Sequence, residues 1–229
     1  VMRDYFVGLP EIGLIDNTHT FSMAQVFRCP GMVKVANDPK TIAIVEQYLG
    51  APPMILSYDA WSSPPAETPM GAQSFHKDYN DIKILKLFIY LSDVDAGGGP
   101  HTFVPGSHRH DMICAARDRY GDEEAFNKWF LGDLRKSDED VQRIFREAVE
   151  LTGPAGTCFL ADTSGLHKGA VPTTSTRLLA QVTYGIFPAV FVDAPRPQGP
   201  NIFKRSEEVY TNHLFLKPNC ETKGHEQSH

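Results

Sequence analysis

The sequence predicts a mainly β domain, a two-sheet jelly roll closing around a pocket. Three observations lead there. Short β-prone runs, such as 82–91 and 177–187, are bracketed by turn residues. Side chains with metal-ligating chemistry sit on separate predicted strands, which two facing sheets can bring to one point. A chain of 229 residues also suits one domain of this kind. The domain is taken as 1–217, with a helical insertion at 111–150 and a polar tail, 218–229, expected to be disordered.

Residues 1–37 read as irregular entry structure, broken by Gly8, Pro10, Gly13, Pro30 and Gly31, with a strand at 31–35. Asp38 as N-cap and Pro39 at the first helical position start a helix that runs to about Leu49 and stops at Gly50. Its apolar stripe (Ile42, Val45, Tyr48, Leu49) is expected to pack on the outside of the barrel. Residues 54–61 form a strand, and the proline-rich stretch 62–69 is a loop placed to rim the pocket. Trp61 is read as a packing aromatic, with a substrate wall as the other option.

In 82–91, period two puts Lys86, Phe88 and Tyr90 on one face and Leu85, Leu87, Ile89 and Leu91 on the other. A lysine amid apolar residues is either a snorkelling edge residue or an inward cation with a partner. A strand at 101–104 ends in Pro105-Gly106-Ser107-His108, where Ser107 and His108 read as turn chemistry at the barrel mouth. His101 has no explanation in the sequence; Arg109 and His110 read as solvated. Residues 122–130 look helical, and Ser137 caps a second helix to about Glu150 with Val141, Ile144, Phe145 and Val149 inward. Residues 153–162 are turn then strand, and the loop from Asp162 to Gly165 delivers His167. Beyond Pro188, Pro195, Pro197 and Pro200 suggest an extended wrap.

The chemistry concentrates in Gln73-Ser74-Phe75-His76-Lys77-Asp78 and Thr163-Ser164-Gly165-Leu166-His167. Residues two apart in a strand share a face, so His76 and Asp78 can reach one point, with His167 arriving from another strand. Two imidazoles and a carboxylate that leave half an octahedron open are the ligand set of non-haem Fe(II) oxygenases. A His-x-Asp pair alone is usually structural or solvated, so the companions matter. Arg177 follows His167 by ten residues on a predicted strand, where its fork can hold the far end of a dicarboxylate. Asp162 is a second acid near His167, but His76-x-Asp78 supplies a carboxylate in better geometry.

The order His76-x-Asp78, then Gly-Gly-Gly-Pro-His-Thr-Phe-Val-Pro-Gly-Ser-His (97–108), then His167 and Arg177, closely resembles the phytanoyl-CoA dioxygenase family of Fe(II)/2-oxoglutarate oxygenases. The resemblance covers roughly residues 54 to 190. It narrows the jelly roll to a cupin-like double-stranded β-helix with flanking helices. It implies a dioxygenase using Fe(II), 2-oxoglutarate and dioxygen to hydroxylate an unidentified small-molecule substrate, releasing succinate and carbon dioxide. By the same resemblance the metal ligands are His76, Asp78 and His167, and Arg177 anchors the co-substrate. Lys86 matches a polar 2-oxoglutarate contact of ectoine-hydroxylase-like relatives and would share the far carboxylate with Arg177; Gln73 matches another cofactor-lining position. The 111–150 insertion is placed over the pocket opening, or else it is surface decoration. Halogenases of the superfamily lack the carboxylate ligand, so Asp78 favours hydroxylation. Two alternatives stand: a cupin-like metal-dependent oxygenase that does not use 2-oxoglutarate, disfavoured by Arg177, and a non-enzymatic binding module, disfavoured by the intact triad.

Composition bounds the partners. A hydrophobic fraction of 41% with 22% charged residues is ordinary for a globular protein, and a net charge of −6 gives no reason to expect nucleic acid or an anionic membrane. The cysteines Cys29, Cys114, Cys158 and Cys220 are scattered without a Cys-x-x-Cys pair, which suits a reducing, cytoplasmic setting rather than a zinc ribbon or disulfide scaffold. No apolar run reaches the ~18 residues a membrane span needs. The chain starts at Val1 without a signal-like region, and a further amino-terminal segment is expected.

Overall fold

The computed structural model describes residues 1–186, apart from Glu11, Asn80 and Asp133. The expected wrap beyond Pro188, the tail at 218–229 and the last residue of the 177–187 strand lie outside the described residues. In chain order the elements begin with α1 (Met2–Val7), β1 (Ile12–Ile15), β2 (Thr18–Thr20), α2 (Met23–Arg28), α3 (Met32–Ala36), α4 (Pro39–Leu49), β3 (Met54–Ser63), β4 (Ile84–Tyr90) and β5 (His101–Phe103). They continue with α5 (His110–Tyr120), α6 (Glu123–Asn127), α7 (Asp138–Phe145), β6 (Val149–Leu151), β7 (Cys158–Ala161), β8 (His167–Gly169) and β9 (Arg177–Gly185). The strands form a six-stranded sheet, β1-β2-β3-β9-β4-β7, and a three-stranded sheet, β6-β5-β8, with every pairing antiparallel. This is the expected jelly roll.

The large sheet is buried on both faces, which explains why β4 and β9 are inaccessible along their whole length. On one face Leu85, Leu87, Ile89 and Leu91 meet Leu178, Ala180, Val182 and Tyr184, and helices α1 to α4 cover them with Phe6, Val26, Met32, Ile42, Val45 and Leu49. Burying a side chain of this size is worth ~1.5–3 kcal/mol, so this layer fixes which way the sheet faces. The other face carries Lys86, Phe88, Tyr90, Arg177, Leu179 and Gln181, all of which line a cavity against the small sheet. The period-two reading of β4 therefore holds, and Lys86 points inward.

α4 starts where expected: Asp38 accepts hydrogen bonds from the Lys40 and Thr41 N–H groups, and Gly50 ends the helix at φ +79°. The entry region is more ordered than expected. Residues 32–36 are helical rather than extended, because Met32 and Ala36, one turn apart, both bury completely in the main core. Ser22 and Gln25 form a capping box that starts α2. Asp16 and Asn17, at φ 51° and 58°, turn β1 into β2 as a two-residue hairpin.

The 111–150 region also departs from expectation. Helix α5 precedes the two expected helices, and α7 stops at Phe145 because Arg146 adopts φ 70°. Residues 149–151 then pair with β5, so Val149 is exposed on a strand instead of inward on a helix. Phe126, Phe130, Val141, Ile144 and Phe145 form a second core with Phe75, Val104 and Leu166. None of the described residues of 111–150 is in the cavity wall. Among the described residues, no helix is long and apolar enough to cross a membrane.

Candidate functional site

His76 and Asp78 lie on an extended segment that joins the small sheet, not on a long strand. The His76 N–H donates to the His167 carbonyl (2.9 Å), the His167 N–H returns the bond to His76 (3.0 Å), and the Asp78 N–H donates to Thr163 (2.8 Å). This reciprocal bridge sets the two imidazoles side by side, with ring centroids 4.2 Å apart. One ligating atom from each of His76, Asp78 and His167 lies within 4.8 Å of the others. His167 Nε2 is 3.5 Å from Asp78 Oδ2, and His76 Nε2 is 3.9 Å from Asp78 Oδ1.

The protonation of this cluster suits a cation. His76 Nδ1 faces the Ser74 carbonyl at 2.9 Å, and His167 Nδ1 faces the Gly165 carbonyl at 3.0 Å. A carbonyl only accepts, so each Nδ1 carries the proton and each Nε2 offers a lone pair. Burial lowers the pKa of His76 and takes that of His167 to about 3, keeping both neutral. Burial pushes the Asp78 carboxyl up, but the Lys86 ammonium, 2.7 Å away, and the two imidazoles outweigh it and hold it at about 2. Two neutral nitrogens and a carboxylate thus converge ready for a metal ion.

The loops that carry these groups are fastened from beneath. Ser107 is fully buried; its hydroxyl donates to the Val104 carbonyl (2.8 Å) and accepts from the Leu166 N–H (2.6 Å), so it fixes the residue before His167 instead of standing at a mouth. Asp162 is occupied as a turn cap: Oδ1 accepts from the Ser164 N–H at 2.9 Å, and Oδ2 accepts from the Tyr48 hydroxyl. It is not one of the converging ligands.

Arg177 lies in the wall of the same cavity and is 3% exposed. Nη1 donates to the Gly99 and Ala170 carbonyls, Nη2 contacts the Ser63 hydroxyl at 3.4 Å, and Nε has no partner among the described residues. Burial lowers its pKa to about 10, which leaves it charged at neutral pH. Among the described residues it has no carboxylate partner. A buried charge without a counter-charge costs several kcal/mol, and an anionic ligand offsets that cost. Gly169 makes room for it: a Cβ there would come within 2.7 Å of Nη2.

The cavity holds about 390 Å³, and the hairpin residues Ile15, Asp16, Thr18 and Thr20 complete its wall together with Trp61, Ala72 and Gln73. The expected rim, 62–69, takes no part in that wall; the hairpin does. Gln73 Oε1 accepts from Asn17 Nδ2 (3.0 Å) and the Met70 N–H (3.1 Å), while its Nε2 is buried without a partner. Trp61 both lines the cavity and packs against the Phe88 and Leu179 cluster.

A family model described as phytanoyl-CoA dioxygenase (PhyH) matches residues 18–177. The chain belongs to this family. Its membership and the His76, Asp78 and His167 cluster support an Fe/2-oxoglutarate enzyme. A search of curated proteins found no match. Among solved structures, the chain is similar to the non-heme alpha ketoglutarate dependent epimerase SnoN from nogalamycin biosynthesis, with 20% identity, TM-score 0.55, and coverage of 89% of this chain and 81% of that one. HygX from Streptomyces hygroscopicus, with nickel and 2-oxoglutarate bound, gives 18% identity, TM-score 0.54, and coverage of 83% and 78%. The carbocyclase SnoK gives 19% identity, TM-score 0.52, and coverage of 80% and 70%. At these identities the likeness is one of fold.

Lys86 lies opposite Thr183, six residues along β9 from Arg177, a separation of roughly 20 Å at the usual rise per residue. The Lys86 ammonium pairs with Asp78 Oδ2 at 2.7 Å. Register of this kind is absent from a linear sequence.

Proposed function

We propose that the chain is an Fe(II)- and 2-oxoglutarate-dependent dioxygenase that hydroxylates a small molecule. The observation that carries this reading is the buried Arg177 guanidinium, without a counter-charge among the described residues, in the same cavity as a preformed His76, Asp78 and His167 cluster. Neighbours of the same fold hold nickel or Fe3+ together with the same co-substrate, which agrees with this pairing of sites.

The residues divide the work by position. His76 and His167 give Nε2 lone pairs, and Asp78 gives an oxygen while Lys86 keeps it ionised. Arg177 holds the far carboxylate of 2-oxoglutarate through a charge-assisted fork. Iron with 2-oxoglutarate supplies the oxidising chemistry when bound. Phe88, Leu179 and Trp61 give the cavity apolar walls, and its volume falls in the range of small-molecule sites. Asp78 would serve as the carboxylate ligand that halogenases of the superfamily lack, which favours hydroxylation over halogenation.

The test is a screen of small metabolites with Fe(II), ascorbate and dioxygen, reading succinate and product mass. A product one oxygen heavier than its substrate is expected, and Asp78→Ala should lose substrate-coupled succinate. A product of unchanged mass, or two hydrogens lighter, would replace hydroxylation with epimerisation or ring closure. Oxygen uptake that does not depend on 2-oxoglutarate would favour the cupin-like alternative.

A further inference from the structure

His101 is a buried imidazole to which the chemistry above gives no task. It is 4% exposed and lines the cavity, yet its Nε2 is buried without a hydrogen-bond partner among the described residues. An unpaired buried polar group is destabilising, and an apolar side chain would fill the same space without that cost.

Its position is set by register. In the pairing of β5 with β8, His101 lies opposite Gly169 and Phe103 opposite His167. Directly opposed residues share a face, so His101 projects on the same side as His167, and their rings stack at 5.5 Å with 24° between planes. Gly169 is also where the Arg177 guanidinium rests, close enough that a Cβ would collide with Nη2. The wall therefore runs from His167 through His101 to Arg177, and a molecule reaching from the metal ligands to the guanidinium must pass the His101 ring. That ring is held by Phe88 (4.6 Å) and Phe159 (5.3 Å), and its backbone N–H donates to the Tyr90 hydroxyl (2.9 Å).

We propose that His101 is a co-substrate-binding residue whose ring N–H donates to an oxygen of the 2-oxo acid lying between His167 and Arg177. This rests on the reading of Arg177 as the anchor of 2-oxoglutarate. A neutral imidazole adds a donor between two fixed ends without adding another buried charge.

The test is calorimetric titration of 2-oxoglutarate into Fe(II)-loaded protein under nitrogen, with a separate titration of Fe(II) into the metal-free protein. His101→Phe keeps the ring stack and loses both nitrogens; His101→Leu checks the result in a second apolar form; His101→Gln restores a donor. Both apolar variants are expected to bind 2-oxoglutarate roughly tenfold or more weakly, with Fe(II) affinity unchanged and His101→Gln recovering part of the loss. Wild-type affinity for 2-oxoglutarate in either apolar variant overturns the assignment and leaves the Arg177 reading intact. Equal loss of Fe(II) affinity also overturns it, since His101 would then only support His167. If the wild-type protein binds Fe(II) but not 2-oxoglutarate, the parent reading fails and this one fails with it.

Discussion

The Lys86 ammonium lies 2.7 Å from Oδ2 of Asp78 and is the strongest of the attractions that keep this carboxylate ionised against its burial. Removing the charge leaves burial less opposed. Lys86→Met is therefore expected to raise the Asp78 pKa from about 2 by at least one unit, and Lys86→Arg to hold it low. Carboxyl NMR titration of the metal-free protein checks this. An Asp78 titration that ignores Lys86→Met would remove Lys86 from the centre.

Acid should unfold the metal-free protein early. The folded pKa values of His76 and His167 lie below 6.5, so the unfolded chain takes up protons that the folded chain refuses. Stability is then complete above 6.5 and lost as pH falls toward the folded values, at up to ~1.4 kcal/mol per pH unit for each imidazole. Asp78 adds a further loss as pH falls from 3.8 toward about 2. Urea midpoints measured across this range should fall steadily with pH; a flat profile down to pH ~5 would contradict the buried, neutral imidazoles.

Arg177→Met should weaken 2-oxoglutarate binding by roughly 30-fold to 1,000-fold, because a bidentate charge-assisted contact in a dry site is worth ~2–4 kcal/mol. The ligand-free protein should be no less stable, since an uncompensated buried charge is gone. Calorimetry and thermal unfolding of the same preparation read both effects.

Gly169→Ala places a methyl group where the Arg177 guanidinium rests. The arginine must move, so 2-oxoglutarate affinity is expected to fall about tenfold while Fe(II) affinity stays level. Equal affinities for 2-oxoglutarate would show that the guanidinium has another place to sit.

Ser107→Ala leaves the Leu166 N–H without its acceptor in a fully buried turn. A loss of about 1–3 kcal/mol in urea unfolding is expected. A change inside experimental error would mean that the turn before His167 is held by its other bonds.

The sequence was most readable where one residue type has one physical use. Asp38-Pro39 and Gly50 bracket α4 because capping and left-handed backbone restrict which residues serve there. The faces of β4 followed from alternation, and the convergence of His76, Asp78 and His167 from a short-range pair with a remote histidine. Other features depended on contacts between distant residues. The hairpin turn is Asp16-Asn17 without the usual glycine, α3 has a composition that also suits a strand, and Arg146 ends α7 in a conformation normally left to glycine. The separate placements of Lys86 and His101 follow from which residues face each other across strands, which no spacing rule reports.

The β1–β2 hairpin has a consequence for how selectivity can change. Asn17 is tied to Thr68 and Gln73, and Asp16 fills the space a side chain on Gly71 would need, so the front of the chain is clamped to the turn just before His76. Ile15, Asp16, Thr18 and Thr20 thus face whatever enters, while His76, Asp78 and His167 stand on other segments of the chain. Directed evolution confined to these four codons would retune the guest molecule and leave the oxidising machinery untouched.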